Sequence, residues 1–429
     1  MQRLTTFAYF IALTVTELSL GASLGAQSNP AYIRFTPGAT KGVLYKPDRG
    51  PAPDVAVLLI HRTSNFLSHS ATAELARRGF LVLAMNPRSD NNEAAVSFED
   101  NALDIRSGIE FLRGQPGIAK VVLFGHSGGG PATSFYQAVA EKGVAYCQGA
   151  NKLVSCGSAL ANLPRADAIV FADAHPGVSV NGLRSLNPAV VDEGNPNRLD
   201  PSLDPFDPKN GYSSTGASTY AEAFKARYFK AQADRMNRLI ADAQARLRAL
   251  DGDNDVMVVR RAAGTRLMEL DPTIDRATAK PARLLKNDGR IVTQVVESVR
   301  PIVRSTPQQN ASFNSSRVLT LRSFLSANAV RATNSMNGID WCSSNNSVPC
   351  AVQQIGVPVL FTAMGGHSFI RDNEIHYEMA ASADKEFIVI EGATHNMTPC
   401  TACEKTPGEY SNVTKNFFDH VASWIEKRF

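Results

Sequence analysis

The chain of 429 residues has no run of five like charges, and its net charge is only +4, with acids and bases mixed along its length. A nucleic-acid surface needs concentrated basic charge, so no nucleic-acid partner is expected. No HExxH and no paired CxxC occurs, and neither a catalytic metal nor a cofactor is expected. There is no GxGxxG, and no lysine follows the glycine cluster near residue 128, which argues against a phosphate cradle. No internal repeat is visible. Beyond the N-terminus no apolar stretch is long enough to span a bilayer.

What is present begins with an export signal over residues 1–26. Arg3 supplies its positive end, FAYFIALTV (7–15) its apolar stretch, and small residues allow cleavage after Gly25 or Ala26. Glu17 is unusual in such a segment, and a short membrane anchor is the alternative. The apolar run is too short and too interrupted to span comfortably, so no stable membrane insertion is expected once the signal is removed. A secreted or periplasmic location follows. The balance of 44% apolar and 20% charged residues is that of a soluble globular protein. Six cysteines in an oxidising compartment suggest disulfides between near neighbours, 147–156, 342–350 and 400–403. Cys400-Thr-Ala-Cys403 has a redox or metal site as its alternative, without a second CxxC or a thioredoxin-like context to support it.

Short apolar strands then alternate with helical patterns. Strands are predicted at 41–47, 54–61, 80–87, 120–125 and 167–173, and helices at 66–79, 97–113 and 130–142. Such alternation implies a mostly parallel sheet flanked by helices. The pattern breaks after Asp173 and resumes at VPVLFTA (357–363), KEFIVIE (385–391) and a terminal helix. The core is therefore read as 27–175 and 356–429, with 176–355 inserted as a mainly helical cap. Thr219 to Glu222 looks like a capping box opening a long amphipathic helix. Its apolar stripe, with Phe224, Tyr228, Phe229 and Met236, suits either a substrate roof or the packing of the cap on the core.

The stretch VVLFGHSGGGP (121–131) runs a buried strand into glycines around Ser127. A sharp strand-to-helix turn raises one side chain at its tip and needs small residues two positions to either side. Gly125 and Gly129 stand there. Ser127 is then a nucleophile at a helix start, with the Gly128 N–H facing an oxyanion.

On these residues the chain resembles the α/β-hydrolase superfamily over nearly the whole mature sequence, in the manner of its serine esterases and lipases with a large cap. The resemblance implies a base after the last strand, where EGATHNM (391–397) offers His395. It implies a second oxyanion donor in the loop His61-Arg62-Thr63-Ser64, with Thr63 the first choice and Arg62 the second. Arg62 and His126, the residue inside the elbow, are candidate substrate contacts. The catalytic acid stays open. Asp173 directly follows its strand, although a structural Asp often ends such a strand. Asp372, with Glu374 beyond it, lies on the later loop, where His367 and Ser368 occupy the family's usual place. Asp372 is equally an N-cap for the helix that follows.

Asp-Pro turns in LDPSLDPFDP and the Asp-rich DGDND (251–255) lack the spacing of an EF-hand. The resemblance implies an exported serine hydrolase acting on a small-molecule or polymer ester. An amidase, lipase or polyesterase would carry the same motifs, and a non-catalytic binding protein on this fold is the rival from another class.

Overall fold

Strands that are apolar on both faces must be covered by helices above and below. The computed structural model describes residues 30–35, 40–47, 50–195, 197–250, 255–263, 266–302 and 315–429. Residues 1–26, read above as an export signal, and residues 251–254 of the second Asp-rich stretch lie outside these. The first half of the chain runs β1 (Ala31–Arg34), β2 (Lys41–Tyr45), β3 (Val55–Ile60), α1 (Ser70–Ala76), β4 (Leu81–Asn86), α2 (Phe98–Arg113), β5 (Lys120–His126), α3 (Gly129–Lys142) and β6 (Ala168–Ala172). Every residue of β3, β4 and β6 is buried. Alternate side chains feed opposite cores, as a two-residue period requires. Ala56, Leu58 and Ile60 pack with Ile105, Ile109 and Phe135 of α2 and α3. Val57 and Leu59 pack with Leu75 of α1 and with Phe417 and Trp424 of the terminal helix Val413–Glu426.

The second half adds α4 (Val178–Ser185), α5 (Glu222–Ala249), β7 (Val256–Ala263), β8 (Ala282–Leu285), β9 (Ile291–Gln294), β10 (Ser315–Thr320), β11 (Ala332–Asn334), β12 (Gly338–Ile339), β13 (Val359–Met364) and β14 (Lys385–Ile390). The main sheet has the order β1-β2-β4-β3-β5-β6-β13-β14-β8-β9. From β4 to β8 its neighbours are parallel, while β1, β2 and β9 form antiparallel margins. The chain leaves β3 for β4 on one side and returns to β5 on the other. A crevice therefore opens beyond the carboxyl ends of β3 and β5, where ligand sites of parallel sheets form.

The inserted stretch differs from its expected boundary. β8 and β9 come from within 176–355 yet extend the main sheet, β8 pairing in parallel with β14. Besides α4 and α5, the insertion carries the antiparallel pairs β7–β10 and β11–β12. α5 starts at Glu222 with Ala221 as N-cap and without a side-chain cap. The capping box expected from Thr219 is not formed, because the Thr219 N–H closes a turn on the Gly211 carbonyl at 3.0 Å.

The α5 stripe is not a substrate roof. Phe224 and Tyr228 pack with Tyr220, Leu267 and Met268, and Phe229 lies against them. Met236 packs with Val180, Leu183 and Phe324. The insertion uses these side chains for its own cores. The cysteines pair as expected, with Cα separations of 5.5, 5.0 and 5.2 Å for 147–156, 342–350 and 400–403. Among the described residues no helix is long and apolar enough to cross a membrane.

Candidate active site

β5 ends at His126 and α3 begins at Gly129, so two residues must turn the chain from strand to helix. Ser127 does so with φ of +53°, a left-handed conformation that L-residues rarely adopt. A Cβ on Gly125 would sit 2.8 Å from the Gly130 Cα, and one on Gly129 only 2.4 Å from the Ile60 carbonyl oxygen. Neither flank has room for a side chain. The Ser127 N–H bonds the Ala172 carbonyl at 3.3 Å, tying the turn to the end of β6. The Ser127 hydroxyl makes no hydrogen bond among the described residues.

One residue past β6, Asp173 is fully buried and holds φ of +46°. Its N–H bonds the Thr362 carbonyl at 2.8 Å, and its Oδ1 accepts the Met364 N–H at 3.1 Å. Its Oδ2 lies 2.6 Å from His395 Nδ1. A carboxylate only accepts, so His395 donates from Nδ1, and in the neutral ring Nε2 is then the nitrogen without a proton. Burial alone would raise the Asp173 carboxyl, but the imidazoles of His367 and His395 outweigh it and hold the group well below the usual carboxylate range.

Asp372 stands elsewhere. It lies in the first turn of the helix Ile370–Met379 and is not its N-cap, which is Phe369. Its Oδ1 accepts from Arg184 Nη1 at 2.9 Å, and both side chains are 3% exposed. Glu374 is occupied by the Ala279 and Lys280 N–H groups. Neither carboxylate bonds His395. Sequence reasoning noted His367 at the acid's usual place but gave it no role, and its Nδ1 lies 2.7 Å from the same Asp173 Oδ2. Its only signal was its position just after β13. The three residues offer ligand atoms within 4.8 Å of one another. A cation there would have to displace the proton of the Asp173–His395 bond.

His126 is a buried support and not a substrate contact. Its Nε2 bonds the His395 carbonyl oxygen at 2.8 Å, and its Nδ1 faces His69 Nε2 at 3.0 Å. The Ala71 N–H donates to His69 Nδ1 at 3.2 Å, which puts the His69 proton on Nε2. The direction of the chain is then fixed: His69 donates to His126, and His126 donates to the His395 backbone. Burial, followed by the neighbouring His395 imidazole, pushes His69 down to about 4 and His126 well below its ordinary value, so both stay neutral.

The loop after β3, expected to supply a second oxyanion donor, also departs from expectation. The Thr63 and Ser64 N–H groups donate to His61 Nδ1 at 3.1 and 2.8 Å, so Thr63 has no free N–H. Neither the Arg62 N–H nor the Gly128 N–H has a protein acceptor among the described residues. The Arg62 guanidinium is buried against Glu93, with Nε and Nη1 unpaired. Burial lowers its pKa and Glu93 partly restores it.

A ten-stranded, mostly parallel sheet with β3 and β5 at its switch point defines the class, as does a strained serine turn after β5 and a histidine loop after β14: the chain has the α/β-hydrolase fold. Solved structures similar to it include a hypothetical protein from Pseudomonas aeruginosa, with 15% identity, a TM-score of 0.45 and 95% of each chain covered. Est1E from Butyrivibrio proteoclasticus aligns with 11% identity and a TM-score of 0.38, covering 93% of this chain and 100% of its own. A proline iminopeptidase from Mycobacterium smegmatis aligns with 13% identity and a TM-score of 0.37, covering 93% and 98%. No family model and no curated protein matches the sequence.

A pH dependence of stability follows from the buried imidazoles. His376, behind the site, is fully buried with neither ring nitrogen paired, and burial lowers it from 6.5 to about 4. The unfolded chain binds a proton near pH 6.5 that the folded chain refuses until about pH 4, so stability is complete above 6.5 and falls as pH drops through this window. His376 alone should account for roughly 3 kcal/mol of that loss. Urea midpoints at pH 7.5, 6 and 5 check this, and His376→Leu should flatten the fall. An unchanged slope in that variant would remove His376 as the cause.

Proposed function

We propose that the protein is an exported serine hydrolase that cleaves a carboxylic ester through an acyl-enzyme on Ser127. One observation carries this reading: Ser127 sits at φ of +53° between a buried strand and a helix, at the sheet edge that also bears the 2.6 Å Asp173–His395 pair. His395 Nε2 takes the Ser127 proton as the oxygen attacks the ester carbonyl. Asp173 holds the tautomer that leaves this nitrogen free and stabilises the imidazolium that forms. The Gly128 and Arg62 N–H groups receive the negative charge on the carbonyl oxygen. His395 returns the proton to the leaving alcohol, and water repeats the sequence on the acyl-enzyme. Three cystines and the leader-like N-terminus support export. The choice of an ester, small or polymeric, rests on analogy with the commonest chemistry of this fold.

A fluorophosphonate probe should label the wild type and not Ser127→Ala. A panel of p-nitrophenyl esters of graded chain length, beside matched amides, assigns the bond and the chain length. Labelling of neither protein would favour a non-catalytic binding role, and preference for the amides would overturn the ester assignment.

A further inference from the structure

Two imidazoles beside the nucleophile have no part in the scheme above. His61 ends the run from β3, and His175 lies two residues past Asp173. The Thr63 and Ser64 N–H groups donate to His61 Nδ1, and the Gly177 N–H donates to His175 Nδ1 at 3.1 Å. A ring nitrogen that accepts an N–H carries no proton, so each neutral ring is locked with its proton on Nε2. Both Nε2 atoms lie close to Gly128. A Cβ on Gly128 would lie 2.5 Å from His61 Nε2 and 3.2 Å from His175 Nε2. This explains a glycine at a position that the elbow spacing leaves free. Neither Nε2 has a protein acceptor among the described residues, and neither is among the fully enclosed unpaired atoms, as both ring nitrogens of His376 are. Two oriented donors thus end beside the first backbone N–H after the nucleophile, with nothing in the protein to receive them.

We propose that His61 and His175 are catalytic residues whose Nε2–H groups donate to the oxyanion formed when Ser127 attacks, alongside the Gly128 and Arg62 N–H groups. The inference rests on the nucleophile assignment made above. No proton is transferred in this step: the imidazoles donate hydrogen bonds, and His395 alone moves the proton. Burial first, then the neighbouring Arg62 charge, pushes His61 down to about 3 and His175 well below its ordinary range. Neutral rings in a fixed tautomer are suited to this, because they need no reorganisation as charge develops on the oxygen.

Asparagine at either position can accept the same backbone N–H through Oδ1 yet is too short to place a donor at the Nε2 position. His61→Asn and His175→Asn should each lower kcat by about 10²-fold with KM nearly unchanged. Each should weaken a trifluoromethyl ketone, which mimics the tetrahedral intermediate, by the same factor. His175→Gln, whose amide reaches the Nε2 position, should recover most of both. An Asn variant with kcat within twofold of wild type, or with ketone affinity moving independently of kcat, overturns the proposal. Wild-type protein with ¹⁵N-labelled histidine gives a measurement independent of how the variants fold: forming the ketone adduct should shift two further Nε2–H resonances, and no such shift counts against it. A wild type that turns over none of the ester panel and takes no fluorophosphonate label fails at the hydrolase reading itself, whereas an active wild type with unaffected Asn variants fails only here.

Discussion

Replacing Ser127 with alanine should lower kcat by roughly 10⁴-fold or more and leave the fold intact. A serine hydroxyl is a poor nucleophile until a neutral imidazole removes its proton, and no neighbouring hydroxyl stands at this turn to replace it. The elbow itself does not depend on the hydroxyl, which makes no hydrogen bond among the described residues. The strain at φ of +53° belongs to the backbone and survives the substitution. His395→Ala should cost about as much, since the two act as a unit. Its backbone carbonyl, which receives His126, remains in place. Initial rates on the best p-nitrophenyl ester, with circular dichroism spectra of both variants, provide the check. Substantial turnover by a well-folded Ser127→Ala protein would remove the nucleophile assignment.

Asp173→Asn should lower kcat by about 10³- to 10⁴-fold with little change in the fold. The asparagine can still accept the Met364 N–H on one side. On the other, an amide would face the Nδ1 atoms of His395 and His367, which now meet Oδ2 at 2.6 and 2.7 Å. An amide N–H cannot accept from an imidazole N–H, so His395 would move its proton to Nε2 and lose its basic nitrogen. Asp372→Asn should do the opposite. Its carboxylate neutralises Arg184 inside the protein, and removing it leaves a buried guanidinium without its counter-charge, at a cost on the order of 3 kcal/mol. Turnover per folded molecule should stay within a few-fold of wild type. Denaturant midpoints and kcat measured on the same preparations separate the two variants. A larger kcat loss in Asp372→Asn would move the acid to the later helix.

These contrasts trace what the sequence determined. Strand and helix positions around β3 to β6 were legible because apolar runs and helical spacing are local properties. The serine turn was legible because a sharp turn demands glycines at fixed offsets, and Gly129 meets the Ile60 carbonyl where a side chain would be. The disulfides were legible because each closes a loop of only a few residues.

The remaining contacts were set by the tertiary structure, since they depend on which distant groups meet. Asp173 and His395 are 222 positions apart, and Asp372 finds Arg184 across 188. No local pattern distinguishes one aspartate after a strand from another. The α5 stripe allowed a roof or packing, and the presence of Leu267, Met268 and Val180 against it shows packing. β8 and β9 lie in a stretch read only as part of the insertion, and it is the pairing of β8 with β14 and of β9 with β8 that makes them sheet. In the loop after β3, one ring makes the Thr63 and Arg62 N–H groups differ. His61 folds back to take the Thr63 and Ser64 N–H groups, and that leaves the Arg62 N–H free. A hydrogen bond of this kind depends on where a side chain comes to rest, which adjacency in the chain does not specify.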